Sequence, residues 1–168
     1  MTARVHHSAI VVRDVDASLR FWRDGVGFEV IMDMHFDGDW RTLFGAPGNR
    51  LRSVFLGDRG RADAGIVELV QFDEGSGDPP VGPPVTARGF FLLSCYVDVE
   101  AVLGRLRALD VGGEPRRIVV PGPGEPLQMG PVQMGPVQMG AVQMGAVQMA
   151  TVVDPDGVLV ELIGVPSP

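Results

Sequence analysis

Two aliphatic stretches of the 168-residue chain each hold one acidic residue at their centre, Ile66-Val-Glu-Leu-Val70 and Leu159-Val-Glu-Leu-Ile163. A glutamate in the middle of a buried strand is costly unless something pairs with it. Glu68 and Glu161, at matching places, point to a shared partner, for which a divalent cation or an arginine would serve. His7 stands in a short aliphatic segment near the N-terminus, and its imidazole is a natural third ligand. Strand alternation sets His6 and His7 on opposite faces, so at most one of them is expected to point into a common cleft.

The elements that must position these groups follow an order that occurs twice. Val5 to Val12 reads as a strand, and the stretch from Asp14 to Gly25 as a helix. Asp14 can cap this helix, Val15, Leu19 and Trp22 share one face, and Gly25 is expected to close it. Phe28 to Phe36, Leu51 to Leu56 and Ile66 to Phe72 read as three more strands. Residues 73–88, rich in Gly, Pro, Ser and Asp, read as a linker. Then Gly89 to Val97 reads as a strand, and Asp98 caps a helix with Val99, Val102, Leu103 and Leu106 on one face, stopped by Gly112-Gly113. Arg116 to Val120, Ala150 to Val153 and Val158 to Ile163 are the following strands, the last two joined by the turn Asp154-Pro-Asp-Gly157. The internal duplication implies an α+β fold of two βαβββ modules, 4–72 and 89–164, whose sheets combine.

A second repeat is of another kind. Leu127-Gln-Met-Gly-Pro and four further Gln-Met pentapeptides run to Met149, and they hold five of the chain's eight methionines. Period five suits neither a strand, where each copy turns over, nor a helix, where successive copies rotate by roughly 140°. The segment at about 127–149 is read as a duplicated insertion in the loop before the next strand. Either it is a neutral loop, or its Val and Met side chains form an adaptable apolar lid or dimer contact.

Composition removes several classes. Asp+Glu outnumber Lys+Arg by 21 to 14, a formal charge of −7, and nucleic-acid binding needs the opposite balance. One cysteine, Cys95, permits no internal disulfide and no cysteine zinc cluster, and it is expected to be a small buried hydrophobe. The N-terminal residues have no signal-peptide pattern, and the longest uncharged run, Pro126 to Val153, holds five glutamines that a hydrocarbon layer would not accept. A cytoplasmic protein with neither membrane nor nucleic-acid partner is expected.

The segments His7-Ser-Ala-Ile-Val-Val-Arg-Asp-Val-Asp-Ala17, Phe21-Trp-Arg-Asp-Gly-Val-Gly-Phe-Glu-Val30, Leu43 to Arg52, Ile66 to Val70 and Val153-Asp-Pro-Asp-Gly-Val-Leu-Val-Glu-Leu-Ile163 together resemble the vicinal oxygen chelate superfamily. That superfamily includes glyoxalase I, methylmalonyl-CoA epimerase, extradiol dioxygenases and bleomycin-resistance proteins. The resemblance implies paired βαβββ modules forming a curled mixed sheet around a cleft. It also implies a divalent transition metal (Zn, Ni, Co, Mn or Fe) on His7, Glu68 and Glu161, and a homodimer, the family's habit. The family's fourth ligand position, usually histidine, falls on Leu92 or Phe91, according to which residues of the two modules are aligned. With one histidine left for the site, ring cleavage of the extradiol type is not expected.

Two functions follow from the resemblance. One is a lyase or isomerase in which the ion polarises two vicinal oxygens and a glutamate, Glu161 or Glu68, moves a proton next to a carbonyl of a small oxygenated substrate. The other is a metal-free protein that sequesters an apolar compound, or a metal-independent natural-product enzyme. Arg52 could grip an anionic group, and Leu92, Ser94 and Tyr96, alternating along one strand, could line the pocket. Asp33 and His35, on one strand face, are read as a surface pair.

Overall fold

The computed structural model describes residues 5–61, 65–75, 90–120 and 147–164. Most of the proposed linker and of the pentapeptide segment lies outside these residues. Among the described residues eight strands form two four-stranded sheets. In the first, β1 (His7–Val11), β2 (Glu29–Asp37), β3 (Arg50–Gly57) and β4 (Ile66–Phe72) lie in the order β1-β4-β3-β2. In the second, β5 (Leu93–Val97), β6 (Arg116–Val120), β7 (Val147–Val153) and β8 (Leu159–Gly164) lie in the order β5-β8-β7-β6. In both sheets the first strand runs parallel to the last and the remaining neighbours are antiparallel. The duplication read from the sequence is thus a duplication of topology.

One face of each sheet packs on helices. Ile10, Val12, Val54, Leu56, Val67 and Leu69 of the first module join Cys95, Ala150, Val152, Val160 and Leu162 of the second in one apolar core. The helices fill its middle. α1 (Val15–Leu19) starts at Asp14, whose carboxylate accepts from the Asp16 and Ala17 N–H groups, as a capping aspartate should. It then widens into a π-helical stretch, Arg20–Val26, in which the Gly27 N–H reaches the Trp22 carbonyl. The helix is closed by Gly27, at φ 102°, and not by Gly25 as expected. Gly25 instead marks a close approach, since a Cβ there would stand 2.3 Å from Cδ2 of Leu106 on α3 (Val99–Ala108).

Each helix also ends on an arginine of the other module. Arg20 donates to the Leu109 carbonyl at the end of α3, 2.7 Å away. Arg105 of α3 donates to the Gly25 and Val26 carbonyls at 2.8 and 3.1 Å. Carbonyls at a helix end have no partner within the helix, and cations there also suit the helix dipole. A further tie is the β7–β8 turn. Asp154, 4% exposed, accepts from Trp22 Nε1 and from the Asp156 and Val158 N–H groups, while Asp156 takes the Ser18 hydroxyl at 2.7 Å. Burial pushes the Asp154 carboxyl above the usual carboxylate range, and these donors oppose that.

The structure differs from the sequence reading in where elements begin and in their number: β5 starts at Leu93 and not at Gly89, so Leu92 precedes the strand on which it was expected. β7 begins at Val147, so the last Gln-Met copy belongs to a strand: Val119 and Ile118 of β6 pair with Gln148 and Met149. A short helix, α2 (Trp40–Phe44), was not expected; Asp39 caps it through the Thr42 N–H and Gly45, at φ 69°, ends it. No helix among the described residues is long and apolar enough to cross a membrane.

If the arginine exchange ties the modules together, Arg105→Met, which keeps the apolar stem and removes both donors, should lower stability by about 1–3 kcal/mol. Urea denaturation monitored by tryptophan fluorescence measures this, and an unchanged midpoint would contradict the assignment.

Candidate functional site

The register of β1, β4 and β3 places the first of the predicted residues. Glu68 is opposite Ala9 on β1 and Phe55 on β3, and His7 is opposite Ile66, so His7 and Glu68 share the face turned away from the helices. His7 Nε2 lies 3.2 Å from Glu68 Oε2, with the histidine side chain 39% and the glutamate 15% exposed. Ser53, 1% exposed, donates its hydroxyl to Glu68 Oε1 at 2.5 Å. Leu51, Ile66 and Val70 on the same face are also buried, so Glu68 sits in a hollow rather than on a flat wet surface. Both carboxylate oxygens are therefore held. Because a carboxylate only accepts, a proton shared across this ion-pair contact must sit on His7 Nε2; in that neutral tautomer Nδ1 accepts from His6 Nδ1, 2.9 Å away.

That last contact corrects an expectation. His6 precedes the first paired residue of β1, so the alternation of the strand does not bind it. Its ring packs edge-on against His7, at 5.2 Å, and both imidazoles lie near Phe55, with centroids 6.1 and 5.3 Å away. Ser53, Phe55 and His6 were missed in the sequence. The pairing with β4 puts Ser53 and Phe55 on the face of Glu68 and gives Arg52, the residue chosen from the sequence, the opposite parity.

Glu161 stands on the second sheet. It is opposite Ser94 and Thr151, and it accepts the Ser94 hydroxyl at 2.5 Å. Tyr96, 77% exposed, follows Ser94 along the same face. Register also decides between the two alignments of the second module. His7 lies two residues before the partner of Glu68, and the residue two before Ser94, the partner of Glu161, is Leu92 and not Phe91. The structure thus joins His7 to Glu68 and leaves Glu161 with its own serine. Among the described residues no three His, Cys, Asp or Glu side chains are grouped so as to hold a metal ion. Within the described residues of one chain these donors pin a carboxylate and form no coordination sphere.

Arg52 does not border this hollow, contrary to expectation. It is opposite His35 and Gln71, on the helix-facing side, where it holds Asp33 through two bonds of 2.9 and 2.8 Å and approaches Asp16 at 3.5 Å. The bidentate bond lowers the Asp33 carboxyl and raises the Arg52 guanidinium from their usual ranges. Asp33 is thus paired with arginine; His35 adds only a lesser favourable charge. Beside the Glu68 hollow runs a cleft of about 410 Å³ between the modules. Its walls are β1 from Ser8 to Val11 and, from the second module, Phe90, Leu93, Asp156 and Val158. Cys95, buried as expected, has its thiol pushed up to about 11 by desolvation.

With this geometry in place, comparison with known proteins gives the family. The chain belongs to the glyoxalase/bleomycin resistance protein/dioxygenase superfamily, whose model matches residues 4–162. It is 32% identical over 169 residues to the lactoylglutathione lyase-like protein terB of Aspergillus terreus, an alignment covering 96% of this chain and 75% of that one. A glyoxalase family protein of Bacillus cereus shares the fold at a TM-score of 0.61 and 18% identity, over 98% of this chain and 95% of the other. A glyoxalase I mutant of Zea mays matches at 0.58 and 20%, over 95% of this chain and 44% of that longer one.

At pH 8 roughly a thousandth of the Cys95 thiol is ionised if its pKa is about 11. Iodoacetamide should therefore leave Cys95 unmodified in the folded protein and alkylate it fully in urea, as read by intact mass. Rapid alkylation of the folded chain would contradict the buried, unactivated assignment.

Proposed function

We propose that this chain is a lyase or isomerase that moves a proton next to a carbonyl of a small oxygenated molecule, with Glu68 as the base. The observation that carries the reading is the carboxylate held at both oxygens, by His7 and by Ser53, in a partly enclosed hollow. A base so fixed loses little freedom on reaction and needs no rearrangement of its partners. Glu68 takes the proton from the hydroxyl-bearing carbon, the C–H pair forms a C=C bond as the carbonyl π pair moves to its oxygen, the hydroxyl proton passes to that oxygen to give the transposed enediol, and the same carboxyl returns its proton to the former carbonyl carbon as the new carbonyl forms. His7 and Ser53 orient Glu68 throughout. The lyase-like relative supports the class of reaction.

Glu161 is a second carboxylate in the matching place of the other sheet, but a single serine holds it and no imidazole faces it. We assign it a supporting role in binding. A second reading, sequestration without chemistry, is favoured by Leu92 at the position where the first module has His7.

The test is hydrogen–deuterium exchange at the carbon beside the carbonyl of an α-hydroxy ketone, followed by NMR in D₂O. Glu68→Gln should reduce exchange by about 100-fold or more, while Glu161→Gln costs no more than several-fold. Undiminished exchange in the Glu68 variant, or its loss only in the Glu161 variant, would overturn the assignment. Ligand binding with no exchange in the wild type would favour sequestration.

A further inference from the structure

The hollow around Glu68 also has a charge pattern that limits what can occupy it. All 14 basic residues of the chain are arginines. On β1 to β4 the arginines are Arg50 and Arg52, and both have the parity of the helix-facing side. Arg52 is engaged by Asp33, and Arg50 lies near Asp37 and Asp73. On the face of Glu68 the strands carry instead Met32, Met34, Phe36 and Phe55, with Met34 50% exposed. In the second sheet one arginine, Arg116, shares the face of Glu161, on the outermost strand. The two central charges facing a ligand are thus both carboxylates.

A glutathione adduct carries two carboxylates and one ammonium group. Bringing its carboxylates beside Glu68, on a sheet face where the described strands β1 to β4 carry no arginine, is electrostatically unfavourable. An uncharged ring compound meets no such penalty. Its flat face matches the Phe55 ring, which the His6 and His7 imidazoles flank, and its edge meets thioethers, which adapt their shape to apolar ligands.

We propose that the substrate is an uncharged, ring-containing hydroxy ketone and not a thiol-peptide adduct; the proposal rests on the proton-transfer reading of the same site. Phe55 is then the specificity-determining residue, the platform for the ring. In this respect the chain departs from what the name of its lactoylglutathione lyase-like relative would suggest.

Isothermal titration of the full chain with 2-hydroxyacetophenone and with S-hexylglutathione tests it. The neutral ketone should bind about tenfold more tightly or better, and Phe55→Ala should erase most of that advantage with its circular dichroism unchanged. Equal or tighter binding of S-hexylglutathione, or no binding of the ketone, overturns the proposal irrespective of the variant. The two claims fail separately. A ketone that binds preferentially but exchanges no carbon-bound proton removes the reaction and leaves the ligand class. Efficient turnover of the methylglyoxal–glutathione hemithioacetal does the reverse.

Discussion

A carboxylate placed among buried aliphatic residues must be satisfied by its own sheet, and around Glu68 this requirement shapes the site. Ile66, Val67, Leu69 and Val70 are all buried, so β4 cannot turn Glu68 out to water without losing the core on its other face. The parallel register with β1 brings His7 to one oxygen, and the antiparallel register with β3 brings Ser53 to the other. A shift of one residue in either strand would send these partners to the helix side and leave a charge unpaired, a cost of several kcal/mol. The site and the register are in this sense one constraint.

The second sheet repeats the plan and changes the chemistry. Glu161 keeps its place and a hydroxyl partner, but Leu92 stands where His7 would be, so its carboxylate is held at one point. Duplication left two equivalent strands, and the side chains around one of them hold its carboxylate at both oxygens. Between the modules the symmetry persists in the helices, where Arg20 and Arg105 each close the other's end. Gly25 allows the approach that makes this exchange possible. The buried Trp22–Asp154 bond fastens the β7–β8 turn to the first helix, so the hairpin that carries Glu161 is held by the first module.

Much of the fold was legible because its signals are local and periodic. The capping aspartates Asp14 and Asp98, the aliphatic run of β4 and the Asp-Pro-Asp-Gly turn each act over a few residues and appear where they were read. The site was legible in part. Glu68 and His7 stood out as polar groups in aliphatic strands, whereas Ser53 and Phe55 did not. β3 is apolar or buried on both faces, so alternation could not say which of Arg52 and Ser53 looks toward Glu68. Only the pairing with β4 decides that, and it depends on contacts about 15 residues away along the chain. The same limit explains His6, whose ring is placed by Phe55 and not by the strand it precedes.

Glu68 is clamped on its sheet by His7 and Ser53, and the imidazole of His7 reports on this clamp most directly. Two-bond ¹H–¹⁵N correlations in uniformly ¹⁵N-labelled protein distinguish the nitrogen that carries the proton from the one that does not. The structure predicts that in the neutral His7 ring Nε2 carries the proton, with slowed solvent exchange, and that Nδ1 has the shift of an acceptor. A His7 ring protonated on Nδ1 instead, or one whose Nε2 proton exchanges as in a free imidazole, would contradict it.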